Sequence, residues 1–171
     1  MANDIRSRIL AEARARLGIP YALPPSPPTT TDCSLWVRDV YEAAGLPFSP
    51  GVRVAEQERM DTVRIDFADV LPGDLLFFEG TYDAGPPSAD GHIASHIGIS
   101  LGAGTRRMLN AVEPVSKETD ISTDYWQAHI FEARRHPALI GTAPTAAIWG
   151  PDVASHQGAV DWRSVKTSGA A

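Results

Sequence analysis

The first part of the chain carries its apolar side chains at helical spacing. Between residues 3 and 18, one apolar face recurs every three or four positions, formed by Ile5, Ile9, Leu10, Ala13 and Leu17. The spacing predicts a helix that ends at Gly18, since glycine is favoured directly after a helix. A second helix is predicted from residues 31–32 to Gly45, and a short third helix over residues 54–60. Several prolines exclude helix and central strand from residues 22–31.

The pattern changes after residue 70, where short apolar or alternating runs replace the helical spacing. Strands are predicted over residues 75–78, 96–101, 107–112, 125–126 and 130–134. Residues 80–95 hold several glycines and prolines, which predict a long loop between the first two strands. Helices followed by meandering strands indicate an α+β fold, with N-terminal helices packed on a small antiparallel sheet.

The last part of the chain differs in composition and lacks a regular hydrophobic pattern. Residues 137–148 are rich in alanine, threonine and proline and lack periodicity, which is typical of a linker. We therefore divide the chain into a domain over residues 1–136, a linker over residues 137–148 and a separate segment over residues 149–171.

Composition and charge narrow the function classes. Lysine and arginine number 15 against 21 aspartates and glutamates, and the net charge of −6 argues against a nucleic-acid-binding protein. A hydrophobic share of 43% and a charged share of 21% are those of a globular domain. No apolar run is long enough to insert into a membrane, and the first residues lack the apolar stretch of a signal peptide.

Cys33 is the single cysteine of the chain, so it forms neither an internal disulfide nor a zinc site made of thiolates. It lies in the first turn of the second predicted helix, directly after the expected cap Asp32. Free backbone N–H groups and the helix dipole at this position are expected to stabilise a thiolate and lower the thiol pKa from about 8.5. The pattern therefore indicates a nucleophile, and the alternative is a buried, inert thiol.

A cysteine nucleophile needs a base and a third group that orients the base. His96 begins an alternating strand and is the best base candidate, the alternative being a satisfied histidine at a strand edge. Asn110 lies on the next strand, where its amide can accept the second imidazole N–H. His92 and His96 have the spacing of helical zinc ligands, but glycines and alternation disfavour a helix there. No metal site is therefore expected.

Four segments together resemble the NlpC family of cell-wall cysteine peptidases. They are Leu-Gly-Ile-Pro-Tyr at 17–21, Asp-Cys-Ser at 32–34, Leu-Pro-Gly-Asp-Leu-Leu-Phe-Phe at 71–78 and His-Ile-Gly-Ile-Ser-Leu-Gly at 96–102. Their order is that of the family, and the joint pattern is far more specific than any one segment. The resemblance covers roughly residues 5–135 and implies a papain-like α+β fold.

The resemblance also implies roles for individual residues. Cys33 would be the nucleophile, His96 the base and Asn110 the orienting third member, without a cofactor. Three further positions would bind substrate: Tyr21, which hydrogen-bonds near the nucleophile, and Asp32 and Ser34, which in some members receive the substrate's amino end. The implied substrate is the peptidoglycan stem peptide, often cut between γ-D-glutamate and a diamino acid.

Three departures from the family pattern lie where the groove walls are expected. Leu35 replaces the usual glycine after Asp-Cys-Ser, Ala22-Leu23 replace a glycine pair after the tyrosine, and the loop before His96 is long. Two alternatives to the endopeptidase therefore stay open. One is an N-acetylmuramoyl-L-alanine amidase with the same catalytic groups, and the other is a non-catalytic cell-wall-binding module.

The segment Gly-Pro-Asp-Val-Ala-Ser-His-Gln-Gly-Ala-Val-Asp-Trp at 150–162 resembles the opening of glycoside hydrolase family 25, the lysozyme-type muramidases. Asp152 matches an active-site aspartate of that family; the alternative is that Asp152 is a turn residue and Asp161 a helix cap. A complete barrel needs about 250 residues, so the segment alone carries no muramidase chemistry. The resemblance implies the N-terminal part of a phage lysin with a downstream muramidase domain, made in the host cytoplasm and acting at the wall after release.

Overall fold

The computed structural model describes residues 2–141. Its four α-helices are α1 (Ala2–Ala15), α2 (Cys33–Ala43), α3 (Ala55–Met60) and α4 (Asp124–His129). Its six strands are β1 (Val63–Ile65), β2 (Leu75–Phe78), β3 (His96–Ser100), β4 (Arg107–Val112), β5 (Val115–Asp120) and β6 (Ile130–Arg135). The strands form one sheet in the order β1-β6-β2-β3-β4-β5, and every neighbouring pair is antiparallel. The predicted α+β class is confirmed.

Alternation along the strands gives the sheet two different faces. Helices α1 and α2 cover the first face, where the main core includes Trp36, Tyr41, Phe77, Ile97, Ile99 and Leu109. A smaller cluster on the second face includes Leu76, Phe78, Met108, Ile121 and Ala133, with the partly buried Trp126 of α4 packed against it. His96, the first residue of β3, lies 3.0 Å from Asn110 of β4.

A buried charge cluster at Asp74 fastens the helices to the sheet. The Asp74 carboxylate is fully buried and accepts hydrogen bonds from Arg6 at 3.0 Å and from Arg135 at 2.9 and 2.7 Å. It also accepts the backbone N–H of Leu71 at 2.8 Å, which closes the turn before β2. Tyr41 of α2 donates to the carbonyl oxygen of Gly73 in the same turn. The Leu-Pro-Gly-Asp segment therefore joins α1, α2 and β6, and it fixes the helix that carries Cys33.

The structure corrects several boundaries. Residues 125–126, predicted as strand, belong to helix α4. Strands β1 and β5 were not predicted. Both of these strands lie at edges of the sheet, where exposed polar side chains hide the alternation. Residues 137–139 form a 3₁₀ turn whose Leu139 is completely buried, so the folded domain continues beyond residue 136.

The remainder of the predicted linker and the muramidase-like segment 149–171 lie outside the described residues. Within residues 2–141, no helix combines the length and the apolar character that a membrane span requires.

Candidate active site

The N-terminus of α2 presents Cys33 in a capped helical turn. Asp32 has extended backbone geometry, and its Oδ1 accepts the backbone N–H of Leu35 at 2.8 Å. Its carbonyl oxygen accepts the N–H of Trp36 at 3.0 Å, which starts the helical ladder. Asp32 is therefore the N-cap that the sequence predicted. Cys33 is buried, with 5% of its surface exposed, and packs within the core on the helical face of the sheet.

A gap between β3 and β4 brings the sheet backbone to Cys33. The pairing of these strands includes Ile99 with Leu109 and Ser100 with Met108 but does not continue to Ile97. The N–H of Ser100 bonds to the carbonyl oxygen of Asp74 on the β2 side, so the N–H of Ile97, three residues earlier, faces β4. With no β4 partner there, the backbone N–H of Ile97 lies close enough to Cys33 to lower the pKa of the thiol, as does the N–H of Ser34. Cys33, the predicted nucleophile, thus lies beside the strand that begins at His96.

His96 and Asn110 form a buried pair with one possible arrangement of protons. Nε2 of His96 lies 3.0 Å from Oδ1 of Asn110, and Nδ2 of Asn110 donates to the carbonyl oxygen of Lys117 at 3.2 Å. Because a carbonyl oxygen only accepts, the amide nitrogen must face Lys117 and the amide oxygen must face His96. Oδ1 also only accepts, so Nε2 of His96 carries the hydrogen. Nδ1 is then the basic nitrogen of the neutral ring.

Aromatic rings enclose the imidazole of His96. The ring centroid of Trp126 lies 5.3 Å from that of His96, and that of Phe78 lies 5.7 Å away. Burial lowers the pKa of His96 to about 4, although the hydrogen bond with Asn110 acts in the opposite direction. Nothing in the sequence pattern indicated this contact of Trp126, because residues 125–126 were predicted as a strand and not as part of α4.

The structure overturns the expected thiolate at Cys33. Burial, followed by the charges of Asp32 and Glu58, raises the pKa of the thiol to about 12. The N–H groups of Ile97 and Ser34 lower the pKa but do not outweigh burial. The N–H groups at the helix N-terminus lower the thiol pKa, as predicted. Burial of the thiol away from water raises it by more. The resting pair is therefore a neutral thiol and a neutral imidazole.

Two tyrosines flank the entrance to Cys33. Tyr21 is held by its backbone N–H, which donates to the carbonyl oxygen of Pro114 at 3.0 Å. Partial burial and the nearby charges of Cys33 and Asp32 raise the pKa of Tyr21. Tyr82, from the long loop before β3, is 42% exposed, and the same three causes raise its pKa. The structure thus brings the predicted Tyr21 to the site and adds Tyr82, an aromatic residue in a glycine-rich loop that the sequence analysis passed over.

Asp32 and Ser34 differ in whether their side chains are free to bind a ligand. Ser34 is 4% exposed, and its hydroxyl donates to Oδ1 of Asp32 at 2.8 Å and lies 3.2 Å from the carbonyl oxygen of Arg53. Among the described residues, Oδ2 of Asp32 has no hydrogen-bond partner. The geometry therefore gives Ser34 the task of orienting the Asp32 carboxylate, and the free oxygen of Asp32 is the one that a ligand can reach.

A charge network at Arg59 fixes the long loop over residues 80–95. The Arg59 guanidinium is fully buried and pairs with Glu56 at 2.8 Å, Asp90 at 2.8 Å and Glu132 at 2.9 Å. Glu56 in turn accepts the backbone N–H of Ala94 at 2.7 Å. Helix α3 thereby holds both the outer part of the loop and its return to β3.

His92 makes contacts separate from those of the His96–Asn110 pair. Its Nδ1 is 2.7 Å from Oε2 of Glu79, and its ring stacks on Phe131 at 5.0 Å between centroids. In residues 2–141, no group of three or more histidine, cysteine, aspartate or glutamate side chains is arranged to hold a metal ion.

Comparison with known proteins gives the site its context. The chain is 32% identical over 128 residues to the bifunctional muramidase/DL-endopeptidase CwlT of Bacillus subtilis, and 31% identical over 132 residues to the gamma-DL-glutamyl hydrolase of the same organism. These matches cover 74% and 77% of this chain but 35% and 29% of those proteins. The chain thus spans about a third of the length of these relatives.

Solved structures share the fold. A Staphylococcus aureus protein of the NLP/P60 family, described as similar to lipoprotein, matches with a TM-score of 0.66 and 33% identity, over 78% of this chain and 42% of that chain. RipD of Mycobacterium tuberculosis, described as a non-catalytic NlpC/p60 domain protein adapted to peptidoglycan binding, has the same fold. Its TM-score is 0.56 at 19% identity, over 77% of this chain and 96% of that chain. These neighbours confirm the papain-like fold.

The family model described as NlpC/P60 matches residues 18–135, which include Tyr21, Asp32, Cys33, Ser34, His96 and Asn110. The matched region is most of the folded domain. The chain therefore belongs to the NlpC/P60 family.

Proposed function

We propose that this domain is a cysteine endopeptidase that hydrolyses an amide bond in the stem peptide of peptidoglycan. The observation that carries the proposal is the hydrogen bond of 3.0 Å between Nε2 of His96 and Oδ1 of Asn110. It leaves Nδ1 of His96 unprotonated, one residue before Ile97, whose backbone N–H lowers the pKa of the Cys33 thiol. A nucleophile, a base and a group that orients the base are the parts that acyl transfer requires.

The first half of the reaction forms an acyl-enzyme. Sγ of Cys33 attacks the carbonyl carbon of the amide while Nδ1 of His96 takes the thiol proton. The pKa values of about 12 for Cys33 and about 4 for His96 favour proton transfer during the attack rather than before it. In the first turn of α2 the N–H of Leu35 donates to Asp32, whereas the N–H of Cys33 has no helical partner and stabilises the oxyanion. The carbon–nitrogen bond then breaks, and Nδ1 returns the proton to the leaving amine.

The second half releases the product. Nδ1 of His96 accepts a proton from a water molecule as that water attacks the thioester. The carbon–sulfur bond breaks, a carboxylic acid leaves and the proton returns to Sγ of Cys33. Throughout both halves Asn110 accepts the Nε2–H, which keeps the ring in one orientation.

The entrance supports a substrate with a free amino end. Asp32 is near enough to Tyr21 and Tyr82 for its charge to raise the pKa of both, so a carboxylate and two phenol groups lie near Cys33. An ammonium group near Asp32 would place the following residues across Cys33. The names of the relatives, a DL-endopeptidase and a gamma-DL-glutamyl hydrolase, favour cleavage after γ-D-glutamate, before the diamino acid.

A non-catalytic role has a precedent in RipD, which is described as a peptidoglycan-binding domain. In this chain, however, nucleophile, base and orienting amide are all present, and Nδ2 and Oδ1 of Asn110 are both engaged. A pure binding module has no need for a fixed tautomer of a buried histidine. This arrangement favours catalysis.

The test is mass spectrometry of the products from diaminopimelate-type peptidoglycan, with the unaltered protein beside Cys33→Ala. We expect Cys33-dependent fragments that end in γ-D-glutamate and an unchanged thermal melt for the variant. Whole stem peptides released from muramic acid would show an amidase instead. Binding to the wall without any Cys33-dependent product would show a binding module.

The place of action and the C-terminal segment belong to the same proposal. We propose that the domain is part of a phage lysin with a downstream muramidase, made in the host cytoplasm and acting at the wall after release. The muramidase-like residues 150–162 and the bifunctional nature of CwlT support this arrangement. Because the segment is too short for a barrel, the same digests should contain intact glycan strands. New sugar ends produced by this chain would contradict that expectation.

A further inference from the structure

The hydrogen bonds of Asn110 continue to a residue that neither the sequence motifs nor the triad includes. Nδ2 of Asn110 donates to Oγ1 of Thr119 at 2.7 Å, which is shorter than its 3.2 Å bond to the carbonyl oxygen of Lys117. Strand β5 supplies both acceptors, because Asn110 pairs with Lys117 and Met108 pairs with Thr119. Thr119 is thus the diagonal neighbour of Asn110 on the same face of the sheet.

The Lys117 carbonyl oxygen and the Thr119 hydroxyl hold the Asn110 amide in different ways. The Lys117 carbonyl belongs to the backbone of β5 and sets which way the amide faces, but its bond of 3.2 Å is the longer of the two. The threonine hydroxyl holds the second hydrogen of the same amide nitrogen at a shorter distance. With both hydrogens engaged, a rotation of the amide by 180° would place Oδ1 against the Lys117 carbonyl oxygen, which cannot donate, and would break the short bond from Nδ2 to the threonine hydroxyl. It would also place Nδ2 against the Nε2–H of His96.

We propose that Thr119 is a positioning residue of the active site, whose hydroxyl oxygen locks the Asn110 amide and thereby fixes His96 in the tautomer with hydrogen on Nε2. This inference rests on the proposed function for its kinetic consequences. It extends the catalytic group from Cys33, His96 and Asn110 to strand β5. The hydroxyl touches no reacting atom and acts through two hydrogen bonds in series.

The test compares Thr119→Val, which keeps the shape of the side chain, with Thr119→Ser, which keeps the hydroxyl. The matched control is Thr123→Val, because Thr123 is exposed and its side chain caps no helix N–H. For Thr119→Val we expect kcat to fall about fivefold with KM unchanged, the factor expected for one lost hydrogen bond. Thr119→Ser should recover most of the loss, and Thr123→Val should leave kcat unchanged.

Nitrogen NMR of the His96 ring separates positioning from a general loss of structure. The unaltered protein should show hydrogen on Nε2 and a bare Nδ1, and Thr119→Val should add a population with hydrogen on Nδ1. Identical ring signals in the valine variant would overturn the inference, whether or not kcat falls. The NMR result does not depend on turnover, so it tests Thr119 even if the wall digests show no Cys33-dependent product.

Discussion

The strands that carry the proposed catalytic groups and the loops beside Cys33 differ sharply in burial. At β3 and β4, His96 and Asn110 are almost completely buried, and each polar side-chain group of Asn110 has a partner. At the entrance, Tyr21 is only half-buried and Tyr82 is 42% exposed, and the nearest charge is Asp32. In the proposed function, the buried part fixes the proton positions that the reaction needs, whereas the exposed part meets the substrate and can change without altering the chemistry.

The largest effect that would sharpen this contrast is the pH dependence of kcat/KM. Burial lowers the pKa of His96 to about 4, and the base must be neutral to take the thiol proton. We expect kcat/KM to fall tenfold for each pH unit below about 4 and to stay level from there to neutral pH. Rates on a soluble muropeptide measure this, with circular dichroism at each pH as the control. A fall centred near pH 6.5 would mean that His96 is hydrated in the working enzyme.

Asn110→Ala removes the orienting amide without touching the reacting groups. We expect kcat to fall about 100-fold, because a misplaced imidazole transfers the proton less efficiently. Some Cys33-dependent turnover should remain, because the imidazole is still present. Single-turnover assays on the same muropeptide measure the acylation step directly. Full activity in this variant would mean that the third member of the triad is misassigned.

Gly98 sets the approach of β4 to β3 at the triad. A Cβ at this position would overlap Sδ of Met108 and lie 3.3 Å from Cβ of Asn110. Gly98→Ala should therefore lower the free energy of unfolding by about 1–3 kcal/mol and kcat about tenfold. The flexible Met108 side chain can move away from the added methyl group, whereas Cβ of Asn110 is fixed by the backbone. The double variant Gly98→Ala/Met108→Ala therefore relieves only the contact with Met108. We expect kcat to stay low in the double variant, and its recovery would show that Asn110 is not displaced.

On the exposed side, Tyr82 tests whether the entrance selects substrate independently of chemistry. Its loop is anchored by Thr81, whose backbone N–H donates to Oγ of Ser95 at 2.9 Å, directly before His96. Tyr82→Ala should raise KM about fivefold for muropeptides with a free amino end and leave kcat unchanged. Tyr82→Phe separates the hydroxyl from the ring. An equal loss on a substrate with an acetylated amino end would refute the selection for the free amine.

The sequence was informative where local rules decide the structure. Asp32 as a cap, Cys33 in the first turn and the strand positions of His96 and Asn110 all follow from short-range patterns. The pKa of Cys33 could not be predicted, because it depends on burial created by the sheet packed against α2. Tyr82, Trp126 and Thr119 reach the site through a long loop, a misassigned helix and an edge strand. Their roles arise from tertiary contacts that spacing along the chain does not record.

Unlike the buried polar groups of Asn110, the buried carboxyl group of Glu58 has no hydrogen-bond partner within residues 2–141. It gives the prediction with the smallest expected effect. The Glu58 side chain is fully buried. Burial and the charge of Asp32 raise its pKa well above the usual range, although Arg38 acts in the opposite direction. Folded Glu58 therefore keeps its proton at pH values where the unfolded chain has released it. Stability is lost as pH rises from about 4.3 toward the folded pKa.

Glu58→Gln removes this ionisation while keeping the size of the side chain. We expect the melting temperature of the variant to match that of the unaltered protein at pH 4 and to exceed it at pH 8. Each tenfold difference in proton affinity between folded and unfolded states corresponds to about 1.4 kcal/mol. Glu42→Gln is the matched control, because Glu42 is an exposed residue of α2 and should show no such divergence. Parallel melting curves for Glu58→Gln and the unaltered protein across this pH range would show that Glu58 ionises freely, and that water reaches the region behind Cys33.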